Sequence, residues 1–297
     1  MNLQNIITEI EQVDPEVYER LDTRRSAMKN FANLGGKLAL TAIPFAMGGM
    51  FKKAYGQTPA DVLDVLQFAL TLEYLEAEYY NLILVAPGLN ATLVGPARTA
   101  YQKIALDENA HVAFLRSAVT ASGGTPVPKP RFDFTGGKGL GNGPFAGANS
   151  PFVNYGVTLA ISQAFEDTGV RAYKGQAGRL INNNDVLTAA LQIHSVEARH
   201  AANVRSMRRS YAAATSNALA LVPAGITVKP WITLNQSGID SPVVQASYNG
   251  EENVVQAGVN ITTVGGINQS AATASEAFDE PLTKAQVLAI VDPFIIA

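Results

Sequence analysis

The chain has no cysteine among its 297 residues. That excludes disulfides, thiolate zinc sites, thiolate-held iron–sulfur clusters and a lipid anchor on cysteine. It leaves the compartment open, because a disulfide-free protein can work anywhere. Charge is also scarce: 16% of residues are Asp, Glu, Lys or Arg, and the net charge is −3. No basic patch points to nucleic acid, so no such partner is expected. The apolar run at 34–51 is too short to span a bilayer comfortably, so no stable membrane anchor is expected. With 47% of residues hydrophobic, the composition suits one large domain or two small ones around a well-buried core.

Two further scarcities carry information. There are only three histidines. Between Glu78 and Glu251 there are only three glutamates, Glu108, Glu166 and Glu197. Two of the histidines stand three residues after two of those glutamates, as Glu108-Asn109-Ala110-His111 and Glu197-Ala198-Arg199-His200. On an α-helix, residues three apart share a face, so each pair can reach one ion from one side. The likeness runs on: Ala113, Arg116 and Ser117 follow the first pair as Ala202, Arg205 and Ser206 follow the second. Upstream of each pair, a glutamate precedes a tyrosine by seven, as Glu73 with Tyr80 and Glu166 with Tyr173. One Glu-x-x-His arises by chance on a surface helix. Two, in a repeat that uses up the rare residues, point to a metal site.

Four helices are expected around that site. Thr58 and Pro59 suit the N-cap and first position of the first helix, and Pro87-Gly88 ends it. Glu73, Glu76 and Tyr80 share one face of a helix apolar nearly all round, where charge is costly unless paired or metal-bound. Glu76 is read as an extra metal donor or a supporting acid; its counterpart in the second half is Gly169. Glu78 points away. The second helix is expected at about 96–121, with Tyr101, Ile104, Glu108, His111, Leu115 and Ala118 inward. The third is expected at about 151–180, with Leu159, Ser162, Glu166, Val170 and Tyr173 inward. The fourth is expected at about 185–214, capped by Asp185, with Leu187, Ala190, Ile193, Glu197 and His200 inward. His194 reads as an ordinary, partly exposed histidine. The Gly- and Pro-rich stretch to about 150 is long for a connection, as it must be if helices two and three run the same way.

The flanks differ in character. Thr23-Arg24-Arg25-Ser26-Ala27-Met28-Lys29 resembles a twin-arginine export signal, with a short apolar run behind it and small residues at Ala54 and Gly56 before a cleavage point. The chain is therefore expected to be exported, to the periplasm or beyond, and to be cytoplasmic if residues 1–56 are not a signal. Changing Arg24 and Arg25 to Lys is expected to strand the precursor in the cytoplasm, as cell fractionation would show; unimpaired export would remove this reading. Residues 216–297 form a C-terminal extension. Ile226–Val228, Trp231–Leu234, Val243–Ala246 and Val254–Ala257 read as short β segments, and Thr283-Lys284-Ala285-Gln286 as the capping box of a last helix. This region is expected to wrap the bundle or build a contact in a homo-oligomer.

Residues 57–215 resemble the ferritin-like superfamily, the di-iron and di-manganese carboxylate four-helix bundles. The segment from Ala69 through Glu73, Glu76 and Tyr80, and the tail from Phe278 to Leu288, are similar to bacterial and plant proteins of the desiccation-related type. The resemblance implies an all-α bundle with one long crossover and two iron or manganese ions. By position, Glu73 and Glu166 would be terminal carboxylates, Glu108 and Glu197 would bridge, and His111 and His200 would each hold one ion. Tyr80 and Tyr173 would pass electrons, hydrogen-bond, or fill the core. The expected function is redox chemistry on a small oxidant, O₂ or peroxide, in stress protection. The alternatives are metal storage without turnover and a structural role in a desiccation protein.

Overall fold

The computed structural model describes residues 59–216, 220–256 and 258–296. The expected export leader and the Thr58 cap lie outside the described residues. Four long helices carry the fold. Helix α1 (Pro59–Val85) stops where Ala86, forced into extended backbone by the following proline, leads into a short turn at Pro87–Leu89. Helix α2 (Gly95–Ala121) ends on Gly123, whose positive φ lets the Gly124 N–H return to Val119 O at 2.9 Å.

Helix α3 (Tyr155–Ala177) begins four residues later than the sequence pattern suggests. Asn154 decides the start: its Oδ1 accepts from the N–H groups of Gly156 and Val157. Helix α4 (Asn184–Ala214) is capped by buried Asn183, which accepts from Val186 N–H at 3.2 Å. Asp185, the expected cap, lies inside the first turn, where its charge suits the helix N-terminus. Helix α1 packs along α2 and α3 along α4; contacts of α1 with α3 and of α2 with α4 join the two hairpins. None of the described helices is long and apolar enough to cross a membrane.

The crossover at 122–154 is sewn down by the far end of the chain. Its strand β1 (Arg131–Phe132) pairs antiparallel with Ile295–Ile296 at the C-terminus. Asp133 organises the loop, accepting from Thr135 through one oxygen and from the Gly139 and Gly141 N–H groups through the other. Phe145 stacks on Phe294, and Phe294 meets Phe165 of α3 edge-on. Phe134 is buried in the same cluster.

The extension differs most from its sequence pattern. Of the four expected β segments, one forms a strand: β2 (Val255–Gln256) pairs with β3 (Val259–Asn260). Val243–Ala246 lies in a 3-10 turn opened by Pro242, Ile226–Val228 is irregular, and Thr233 makes a single bridge to Gln236. The bundle holds these segments from outside their ends. Guanidinium groups on its helices take carbonyls around these segments. Arg208 donates to Leu221 O and Gly238 O, and Arg171 to Ser247 O, Asn249 O and Glu280 O. Short helix α5 (Ala271–Ser275) follows, then α6 (Lys284–Val291) with both halves of the Thr283–Gln286 capping box made. Trp231 is exposed.

Covered by this wrap, every residue of α3 from Tyr155 to Tyr173 is buried. Gly175 marks the closest approach: a Cβ there would sit 1.9 Å from Leu282 O. Arg171 also lies 2.6 Å from Glu251, both only 2% exposed. Burial pushes Glu251 up to about 7, with Arg171 working against it. Arg171→Met should therefore destabilise the fold by about 3–5 kcal/mol, because it strands a buried carboxylate and three carbonyls. Urea unfolding measures this; a loss within the error of the method would show that the guanidinium does not pin the wrap.

Candidate metal centre

Four glutamates, Glu73, Glu108, Glu166 and Glu197, are each 0% exposed, and they meet in the middle of the bundle with His111 and His200. Each helix supplies one carboxylate from the face its spacing dictates, and α2 and α4 add an imidazole one turn on. Two groups form. Glu73, Glu108, His111 and Glu197 bring donor atoms within 4.8 Å of one another, and so do Glu108, Glu166, Glu197 and His200. Glu108 and Glu197 are common to both. His111 Nδ1 lies 3.1 Å from Glu73, 3.1 Å from Glu108 and 3.3 Å from Glu197. His200 Nδ1 lies 2.7 Å from Glu108 and 3.4 Å from Glu166. The two rings are 6.4 Å apart.

The tyrosines hold the outer carboxylates crosswise. Tyr80 on α1 donates to Glu166 on α3, and Tyr173 on α3 donates to Glu73 on α1. Each hairpin thus clamps the other's glutamate. Burial and the facing carboxylates raise both phenol pKa values well above the ordinary range, so both stay protonated donors. Within each hairpin a second pseudo-symmetric contact recurs: Arg116 of α2 reaches the Tyr74 hydroxyl, and Arg205 of α4 reaches Asp167. Those partners each follow an outer glutamate by one residue.

Burial and then the Glu73 charge push Glu108 up to about 7, against the two neighbouring imidazoles. Burial, then Glu108 and Glu73, also raise Glu197 well above the ordinary range. Burial would likewise raise Glu73, but the His111 charge and the bonds from His111 and Tyr173 hold it down. Burial would lower both imidazoles. The surrounding carboxylates overcome it, pushing His200 up to about 11 and His111 well above its ordinary value. Protons on the imidazoles thus offset part of the carboxylate charge.

Those protons do not satisfy the site. Glu108 Oε1, Glu166 Oε2, both oxygens of Glu197 and His200 Nδ1 are buried without a hydrogen-bond partner. Such atoms are rare in native interiors. Glu108 Oε1 and His200 Nδ1, 2.7 Å apart, are not aligned as donor and acceptor. Carboxylate oxygens and imidazole nitrogens are metal donors, so the residues present fit bound metal ions.

Glu76 is buried but belongs to neither group; its Oε1 faces Gly169. Burial, then Glu197 and the other three carboxylates, raise its pKa well above the usual range. Glu78 is partly exposed and pairs with Lys129. His194 is partly buried, outside both groups, with Nδ1 unbonded. One supporting residue escaped the sequence reading. Asp107 of α2 lies 3.2 Å from His200 Nε2 across the bundle, where it fixes the ring so that Nδ1 faces the carboxylates. Its acidity was visible next to Glu108; its partner, on another helix, was not.

Fold and site define a four-helix carboxylate–imidazole bundle of the kind that can bind metal ions in its core. The ferritin-like domain family matches residues 61–210, and the chain belongs to that family. No curated protein matches the chain, and no solved structure does.

Proposed function

We propose that the bundle holds two iron or manganese ions and carries out redox chemistry on dioxygen or peroxide, as an exported protein of stress protection. The observation that supports it most is the pair of donor groups sharing Glu108 and Glu197. Glu73 and His111 would hold one ion, Glu166 and His200 the other, with the shared glutamates between them and Glu76 alongside. Two such ions close together can exchange electrons with a small oxidant. The chain's own residues do the rest. Tyr80 and Tyr173 orient the outer carboxylates, Asp107 orients His200, and the wrapped α3 keeps bulk water from the centre. Elemental analysis of purified protein with a peroxide- and dioxygen-consumption assay tests the reading. Two ions per chain with turnover support it. Two ions without turnover would leave storage or a structural staple, and no bound transition metal would end the metal reading.

A further inference from the structure

Beyond the matched domain, the extension carries a cavity of about 180 Å³, lined by residues between Gly225 and Gly238 and open to solvent on one side. The chain's only tryptophan, Trp231, stands in its wall and is 43% exposed. A tryptophan is usually well buried, so one left open in the wall of a cavity points to a ligand. The backbone around it is held in one shape. Leu234 has a φ of +52°, which bulky residues rarely adopt. The turn is pinned from outside: Leu234 N–H donates to Ser275 Oγ at 2.8 Å, and Gln245 donates to Asn235 O at 3.1 Å. Strain retained in this way clusters at ligand sites.

The walls sort the ligands that could sit there. Lys229 Nζ donates to Glu276 at 2.7 Å and to Thr233 Oγ1 at 3.1 Å, and the Thr233 hydroxyl donates to Glu276 at 2.6 Å. The lysine charge is thus answered, and it does not draw a phosphate or carboxylate. The same ammonium, 6.0 Å from the centre of the Trp231 ring, occupies the place of a cationic ligand. Thr227 and Gln236 are exposed in the wall, and their side chains make no hydrogen bond among the described residues. A purely apolar ligand would strip them of water and leave them unanswered. A neutral ligand with an apolar face and a hydroxylated edge suits all of these walls. A pyranose ring has both. Its C–H bonds are polarised toward the negative face of an indole, and its hydroxyls donate and accept, as threonine and glutamine side chains do. The cavity matches about six waters in volume, the space of one sugar ring.

We propose that this cavity binds one neutral sugar ring of an oligosaccharide, stacked on Trp231 and hydrogen-bonded by Thr227 and Gln236. The site is separate from the metal centre, and its test does not depend on metal.

Because Trp231 is the only tryptophan, its fluorescence reports this cavity alone. Full-length protein is titrated with cellohexaose, maltohexaose and chitohexaose, and with tetramethylammonium and adenosine monophosphate as cationic and anionic controls. A saturable blue shift with at least one of the sugars is expected, because a stacked ring takes water from the indole, and none with the controls. Thr227→Val and Gln236→Ala keep the reporter and should each weaken binding by about three- to tenfold, the loss of one net hydrogen bond. Trp231→Ala should abolish binding as read by calorimetry, with circular dichroism to verify the fold. If Trp231→Ala does not fold, the two exposed polar variants decide. The inference is overturned if no sugar gives a saturable shift, if a control saturates in place of the sugars, or if both polar variants bind as tightly as wild type.

Discussion

Stripping metal from the purified protein is expected to lower its unfolding midpoint, and to lower it more near pH 7 than near pH 5. In the metal-free fold, Glu108 rises from 4.5 to about 7, and Glu197 and Glu76 also rise. Such a carboxyl keeps in the fold a proton that it loses in the unfolded chain. Its contribution is full below 4.5 and is lost as pH climbs through the folded value. His200 acts in the same sense at higher pH, its contribution full below 6.5 and lost as pH rises through about 11. Glu73 runs the other way: its pKa is lowered, so its contribution is present above 4.5 and is lost as pH falls through the folded value. Three raised carboxyls outweigh one lowered, so the metal-free protein weakens between those pH values.

Metal inverts the trend because it binds the deprotonated donors and releases their protons. At free metal about a hundredfold above Kd the gain is about 2.7 kcal/mol, roughly 5–10 °C for a domain of this size. Thermal scans of chelated and reloaded protein at the two pH values measure it, with elemental analysis to verify removal. If metal demonstrably leaves and the midpoints coincide at both pH values, these six side chains are not a working site.

Glu108→Gln and Glu197→Gln should each cut metal affinity by about a hundredfold or more, since changes to mere outer partners already cost about 10–100-fold. Each carboxylate belongs to both donor groups, so each would offset charge on two ions, and a neutral amide cannot. Glu78→Gln is the control. Glu78 is 26% exposed and paired with Lys129, and a pair so placed contributes little. A second readout separates lost ligation from misfolding. Removing one charge from a crowded buried cluster should leave the metal-free variants at least as stable as metal-free wild type. The measurements are metal content after dialysis against a common buffer and the chelated unfolding midpoint. Equal metal loss in all three variants would show that the helix faces are wrongly assigned.

What the sequence determined by itself is whatever repeats within a turn or two of helix. The i, i+3 spacing of Glu108 with His111 and Glu197 with His200, the repeat between halves, the apolar stripes, the long Gly–Pro crossover and the Thr283 capping box are local patterns, and each has its counterpart in the fold. Boundaries set by competing caps were less legible: Asn154 and Asn183, not Asp185, fix where α3 and α4 begin. Only the tertiary structure decided which side chains answer one another across helices. The repeat sets Tyr80 seven residues after Glu73 and Tyr173 seven after Glu166 without naming their partners; packing sends Tyr80 to Glu166 and Tyr173 to Glu73. It turns Asp107 to His200, and buries α3 under a tail held by Arg171 and Arg208 through its backbone carbonyls. Helical spacing states which face a residue occupies, because the backbone repeats every 3.6 residues. It does not state what that face meets, because the meeting depends on residues a hundred positions away, brought together by burial of the whole core.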